Sequence, residues 1–101
     1  MADGDEILVT ASANLWRGTE AVGGRLTLSR GGLRFRAHAF ARLAEPLDIP
    51  VDEIVEARKT RTMGIIPNGL AVTTKVGLEI RFVVADRDRF IEEITKLTAR
   101  P

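Results

Sequence analysis

The chain has 101 residues, the length of one domain; 45% of them are hydrophobic and 29% are charged, with a mean hydropathy of +0.00. This balance is typical of a globular protein and excludes the disordered and fibrous classes. The sequence has no cysteine, which excludes disulfides, thiolate catalysis and thiolate metal sites. We therefore expect a single domain over residues 1–101, with its core over residues 8–98 and a polar lead-in at residues 1–6.

The distribution of charge along the chain is more informative about function than the net charge. A net charge of +1 excludes the global basic field that attracts nucleic acid or anionic membrane. Residues 17–42, however, contain six arginines and only one acidic residue, Glu20. No apolar run is long enough to cross a bilayer, and the acidic start does not match the basic region of a signal peptide. The sequence therefore predicts a cytoplasmic protein.

The predicted elements begin with a β-rich strand at residues 8–16, and a β-hairpin at residues 21–38 follows it. The turn of the hairpin is either Arg30-Gly31 or Gly31-Gly32. Both alternatives put the same apolar side chains on one face, namely Leu26, Leu28, Leu33, Phe35 and Ala37. The opposite face then collects Arg25, Thr27, Ser29, Arg34, Arg36 and His38.

The second half of the chain predicts more strands and one helix. Residues 47–49 alternate like a short strand that Pro50 ends, residues 51–54 suit a single turn, and residues 55–62 resemble a basic edge strand. Residues 63–69 are predicted to form a loop, because Pro67-Asn68-Gly69 is typical of a turn. A second hairpin is predicted at residues 70–84. Its predicted inward face consists of Leu78, Ile80, Phe82 and Val84. A helix that Asp86 caps follows, and its apolar face consists of Phe90, Ile91, Ile94 and Leu97.

Six segments, taken in order, resemble the GRAM domain family, in particular its small stand-alone bacterial proteins, over residues 13–97. They are residues 20–29, Leu33-x-Phe35-x-x-His38, Ile49-Pro50-x-x-x-Ile54, Gly64-x-x-Pro67-Asn68-Gly69-Leu70, Gly77-x-Glu79-x-x-Phe82-Val83-Val84 and Arg87-x-x-x-Ile91. The position before Leu33 is often basic in that family and is glycine here. The resemblance implies a pleckstrin-homology-like fold, a partly open, seven-stranded antiparallel barrel or sandwich capped by one C-terminal helix. It also implies a module that binds membranes, phosphoinositides or proteins.

The sharpest site hypothesis is an arginine array that grips a lipid headgroup, because guanidinium groups bind phosphate through paired hydrogen bonds. Its candidate residues are Arg17, Arg25, Arg34, Arg36, His38 and Arg42. The alternative is that these arginines only keep the outer sheet face hydrated. If acidic residues between Glu45 and Glu56 fold back onto this face, they neutralise it.

Two further sets are candidate interface residues. The basic set Arg58, Lys59 and Arg61 would meet anionic lipid, or would instead protect a sheet edge. The apolar set Trp16, Ile65 and Ile66 would enter a membrane or a protein pocket, or would instead cover the core.

Other classes of function find little support in the sequence. His38 is the only histidine, and no metal site, cofactor site or nucleophile–base pair can be assembled around it. The aromatic residues are mostly assigned to the interior, which argues against nucleic-acid binding. We therefore expect a non-enzymatic module that contacts anionic membrane lipid at the inner membrane face. The alternative is a protein-interaction adaptor or a self-associating domain without lipid binding.

Overall fold

The computed structural model describes residues 6–38, 46–62 and 66–99. It is a single antiparallel sheet of seven strands in the order β4-β3-β2-β1-β7-β6-β5, followed by one C-terminal helix. The strands are β1 (Ile7–Arg17), β2 (Glu20–Ser29), β3 (Gly32–Ala37), β4 (Leu47–Pro50), β5 (Ile54–Thr62), β6 (Ile66–Thr74) and β7 (Glu79–Val84). A one-turn 3₁₀ helix (Val51–Glu53) joins β4 to β5, and the α-helix α1 spans Arg87–Thr98. The predicted fold class, mainly β with seven strands and a C-terminal helix, is confirmed.

The first hairpin has the predicted face assignment. Ser29 pairs with Gly32, so the turn is Arg30-Gly31, and Leu26 pairs with Phe35. Leu26, Leu28, Leu33 and Phe35 are all at most 2% exposed, whereas the arginines that alternate with them are exposed. Because side chains alternate across a strand, this register places all of these arginines on the solvent-exposed face of the hairpin.

The sheet rolls up around one apolar core. Phe35 on β3 and Phe82 on β7 are separated by two strands in the sheet, yet their ring centroids lie 5.9 Å apart. Phe90 and Ile94 of α1 are fully buried in the same core, as the helical spacing predicts. The helix therefore covers the interior of the rolled sheet.

The edge strands β4 and β5 are joined through the 3₁₀ helix. The backbone amide of Val51 donates to the carbonyl of Gly31 at 2.9 Å, and the amide of Lys75 donates to the carbonyl of Glu53 at 2.9 Å. These bonds tie the 3₁₀ helix to the β2–β3 turn and to the β6–β7 turn. The basic segment at residues 55–62 is an edge strand, as the sequence predicts.

Two predictions in the second half of the chain are wrong. Leu78 is 59% exposed and precedes β7, so it does not belong to the inward face of that strand. The backbone amide of Thr74 donates to the Leu78 carbonyl, which places Leu78 in the turn.

The second error concerns residues 67–69, which lie inside β6 rather than in a turn. A Cβ atom at Gly69 would stand 2.1 Å from Thr60 Oγ1 on β5, so only glycine fits this strand pair. The glycine is therefore required for close backbone approach, at a bulge between Thr60 and Thr62, and not for a turn.

Candidate anion-binding face

The outward side of β2 and β3, which we call the hairpin face, consists of Arg25, Thr27, Ser29, Arg34 and Arg36. Neighbouring strands extend it in rows, because residues that pair across an antiparallel sheet share a face. One row runs through Thr10, Thr27, Arg34 and Asp48 on four successive strands. The next row runs through Ser12, Arg25 and Arg36.

Arg34 is not a free cation on this face. Its Nε donates to Asp48 Oδ1 at 2.8 Å and its Nη2 donates to Asp48 Oδ2 at 2.9 Å, which is a two-point ion pair. The hydrogen bond from Arg34 lowers the pKa of Asp48 below its ordinary value, and the charge of Arg36 acts in the same direction. Neutralisation by an acidic residue between Glu45 and Glu56, which the sequence left open, therefore occurs at Arg34 within the described residues.

Arg25 and Arg36 lie directly opposite each other and are both exposed. Arg25 donates from Nη1 to the hydroxyl of Thr10 at 3.4 Å, and that hydroxyl also bonds Thr27 Oγ1 at 2.9 Å. Neither arginine forms an ion pair with any residue in the described ranges. Two like charges held opposite each other repel, so an anion that binds both would relieve the repulsion.

The remaining residues of the predicted array lie at the margins of this face. His38 follows β3, its backbone amide donates to the Gly23 carbonyl at 3.1 Å, and its ring lies next to Gly23. Arg17 ends β1 opposite Glu20, at the turn between β1 and β2. Arg42 lies outside the described residues.

The second basic set is largely paired. Arg58 forms ion pairs with Glu79 and, at 3.8 Å, with Glu56, while Lys59 Nζ lies 3.4 Å from Asp88 Oδ1 of α1. Arg61 forms no ion pair with the described residues. Arg58, Lys59 and Arg61 were predicted to act as one basic set. In the structure each has a different environment.

The apolar candidates do not form one surface. Trp16 is half-buried and lines a cavity together with Arg61. Ile65 lies outside the described residues, and Ile66 begins β6. Exposed apolar side chains are found instead at Val76 and Leu78, which are 82% and 59% exposed in the β6–β7 turn.

Arg87 has a structural role that was not predicted from the sequence. Its side chain is only 14% exposed, and its Nη1 donates to the carbonyls of Thr60 at 2.6 Å and Gly69 at 3.2 Å. It thereby links the start of α1 to the bulge between β5 and β6. The signal in the sequence was its place in the GRAM-like segment Arg87-x-x-x-Ile91.

Two negative results apply to the described part of the chain. It contains no group of three or more histidine, aspartate or glutamate residues placed to hold a metal ion. None of its helices is long and apolar enough to span a bilayer.

Comparison with known proteins establishes the fold alone. No family model and no curated protein matches the chain. Among solved structures it is similar to the C-terminal domain of an unknown protein from Leishmania infantum, with a TM-score of 0.78 and 19% sequence identity. The match covers 93% of this chain and 84% of that domain.

Proposed function

We propose that this chain is a non-enzymatic, GRAM-like module that binds anionic membrane lipid through Arg25 and Arg36 of the hairpin face. The observation that carries the proposal is their position opposite each other, exposed and without an ion pair to any of the described residues. Residues directly opposite in an antiparallel pair have Cβ atoms about 5 Å apart, so one phosphate can accept hydrogen bonds from both guanidinium groups. A cytoplasmic protein with this face would associate peripherally with the inner membrane face.

The rigidity of the hairpin supports the proposal. Arg25 and Arg36 project from a register that the buried Leu26–Phe35 pair fixes, so binding orders little of the backbone. Arg34 sits one row away and is held by Asp48. Arg34 therefore contributes less than a free arginine would to the positive electrostatic potential of the hairpin face.

Liposome co-sedimentation tests this function. Wild-type protein is mixed with phosphatidylcholine vesicles, with and without phosphatidylglycerol, at low ionic strength and at about 0.15 M salt. We expect binding to the anionic vesicles only, weakened by salt because exposed charges are screened beyond about 8–10 Å. The variant Arg25→Gln/Arg36→Gln is expected to bind about thirtyfold more weakly, since each basic residue near an anionic surface contributes about 1 kcal/mol.

The matched control is Lys75→Gln/Arg89→Gln, which removes the same charge from exposed residues away from the hairpin face. It should retain most of the binding. Equal losses in the two double variants would assign the effect to net charge and contradict a defined site. Absence of binding to anionic vesicles at low salt would reject the membrane function.

A protein-interaction adaptor or self-associating domain is the second candidate. The observation that favours it is the exposure of Val76 and Leu78 in the β6–β7 turn, with Val55 of the edge strand β5 at 56%. An apolar contact of this kind would resist salt, in contrast to binding by the hairpin face. Sedimentation equilibrium at low and high salt measures self-association directly.

A further inference from the structure

A cavity of about 250 Å³ lies on the other half of the sheet, where the end of β1 approaches β5, β6 and β7. It brings together residues that are far apart in the sequence. Its lining consists of Trp16, Gly18, Thr60, Arg61, Gly69, Arg81 and Phe82. The described lining contains two cations and an indole ring but no carboxylate, which is the composition of an anion site with an aromatic wall.

Both arginines keep hydrogen-bonding capacity for a ligand. Arg61 has no ion-pair partner among the described residues. Arg81 donates from Nε to Glu79 Oε1 at 3.1 Å, and none of the described residues accepts a bond from its terminal nitrogens. Glu79 is itself shared with Arg58, so it does not neutralise Arg81 fully.

Two residues that line the cavity are fixed by hydrogen bonds from Arg87. Thr60 and Gly69 line it, and the largely buried guanidinium of Arg87 donates to the carbonyls of both. Arg87 therefore holds these two lining residues together through their backbone carbonyls. Fixing this backbone lowers the cost of ordering it when a ligand binds.

Trp16 lines the cavity, and the adjacent turn leaves the cavity open. Gly18 in this turn has φ +64°, and a Cβ atom there would have no neighbour within 4 Å. The cavity volume of about 250 Å³ lies below the roughly 300 Å³ of typical drug-sized sites, which suits a small enclosed group. The part of the ligand that the cavity encloses is therefore small.

We propose that this cavity binds a small phosphomonoester with a planar or apolar body, whose phosphate is held by Arg61 and Arg81 and whose body stacks on Trp16. The site is separate from the hairpin face and does not depend on the function proposed for that face. The phosphate can belong to a soluble metabolite or to a lipid headgroup, and competition with lipid vesicles distinguishes the two sources.

Trp16 itself reports on the site, because the chain has one tryptophan and no tyrosine. The experiment titrates the full chain with phenyl phosphate, inorganic phosphate and uncharged phenol while tryptophan fluorescence is recorded. We expect a saturable change with phenyl phosphate, weaker binding of inorganic phosphate and no saturable change with phenol. A change that rises linearly with phenyl phosphate would overturn the proposal.

Variants locate the phosphate. Arg61→Gln and Arg81→Gln are each expected to weaken phenyl phosphate binding about tenfold, the effect of losing a charge-assisted hydrogen bond. Arg89→Gln, a matched change at an exposed position of α1 that belongs to neither proposed site, is expected to leave the titration unchanged. Equal affinity in wild type, Arg61→Gln and Arg81→Gln would overturn the site, provided that circular dichroism shows all variants folded.

The source of the phosphate is decided by competition. Phosphatidylcholine vesicles that contain phosphatidic acid are added to the complex with phenyl phosphate. Displacement by these vesicles, but not by phosphatidylcholine alone, supports a lipid headgroup. Saturable phenyl phosphate binding that such vesicles leave intact supports a soluble phosphomonoester.

Discussion

Arg34 and Asp48 face each other across β3 and β4 and form a two-point ion pair, with N–O distances of 2.8 and 2.9 Å. This pair divides the arginines of the hairpin face into a neutralised member and an available pair, Arg25 and Arg36. The difference could not be recognised from the spacing of the arginines, since Arg34 and Arg36 are equivalent in the alternation of β3. It follows from which strand lies beside β3.

Releasing Arg34 should strengthen binding to anionic membranes. In Asp48→Asn the guanidinium loses its carboxylate partner, and one more cation becomes available on the hairpin face. We expect about fivefold tighter binding to phosphatidylglycerol-containing vesicles, the effect of one additional basic residue near the surface. Asp52→Asn makes the same charge change at an exposed position of the 3₁₀ helix and is the control in the same co-sedimentation assay. Equal gains in both variants would mean that Arg34 is not specifically involved.

The carboxylates of Asp48 and Glu79 should titrate below their ordinary pKa values. Hydrogen bonding to Arg34 lowers the pKa of Asp48 from 3.8, and hydrogen bonding to Arg81 lowers that of Glu79 from 4.5. A depressed pKa in the folded state stabilises the fold above the unfolded-state pKa, and this stabilisation is lost as the pH falls through the folded-state value. Wild type should therefore be more stable than Asp48→Asn near neutral pH, with the difference vanishing below the folded pKa of Asp48.

NMR titration of the side-chain carboxyl carbons measures both midpoints directly. Urea unfolding of wild type and Asp48→Asn over the same pH series measures the linked stability. A titration midpoint at or above 3.8 for the Asp48 carboxyl group would contradict its ion pair with Arg34 in solution.

Arg87 should stabilise the fold without contributing to the proposed hairpin site. In Arg87→Gln the carbonyls of Thr60 and Gly69 lose their charged donor at the start of α1. We expect a loss of roughly 2 kcal/mol in the free energy of unfolding, the typical effect of removing hydrogen bonds to a charged group. Arg89→Gln, an exposed neighbour on the same helix, should change stability by less than about 0.5 kcal/mol. Chemical denaturation compares them, and similar losses would argue against the link.

The corrected position of Leu78 makes a paired stability test possible. Leu70 is fully buried on β6, so Leu70→Ala should cost about 2–5 kcal/mol through lost burial and a residual cavity. Leu78 is 59% exposed in the turn, so Leu78→Ala should cost less than about 0.5 kcal/mol. Thermal or urea unfolding of the two variants measures both values. A large loss in the free energy of unfolding for Leu78→Ala would show that Leu78 is buried in the core, as the alternation of residues 78–84 predicted.

Local pattern was sufficient where one side of an element is buried and the other is solvated. The alternation of Leu26, Leu28, Leu33 and Phe35 predicted the inward face of the first hairpin, and helical spacing predicted the burial of Phe90 and Ile94. These features depend on a period that the backbone imposes, so they can be recognised from the residues alone.

Local pattern failed where a residue type serves two purposes. Glycine after Pro67-Asn68 is typical of a turn, but Gly69 is there because Thr60 on another strand approaches too closely for any side chain. Leu78 continues the alternation of β7, but the backbone hydrogen bond from Thr74 to Leu78 places it in the turn. In both cases a contact between segments overrode the local signal.

The sequence by itself determined the fold class, the facing of the first hairpin, the edge position of the basic strand and the existence of an arginine-rich outer face. Only the tertiary structure decided which arginines are available. Strand order brought Asp48 beside Arg34, the turn of the first hairpin set the register that places Arg25 opposite Arg36, and sheet rolling brought Trp16, Arg61 and Arg81 around one cavity. The physical reason is that ion pairs and cavities depend on distances between strands, whereas the period of side-chain burial is a property of each strand alone.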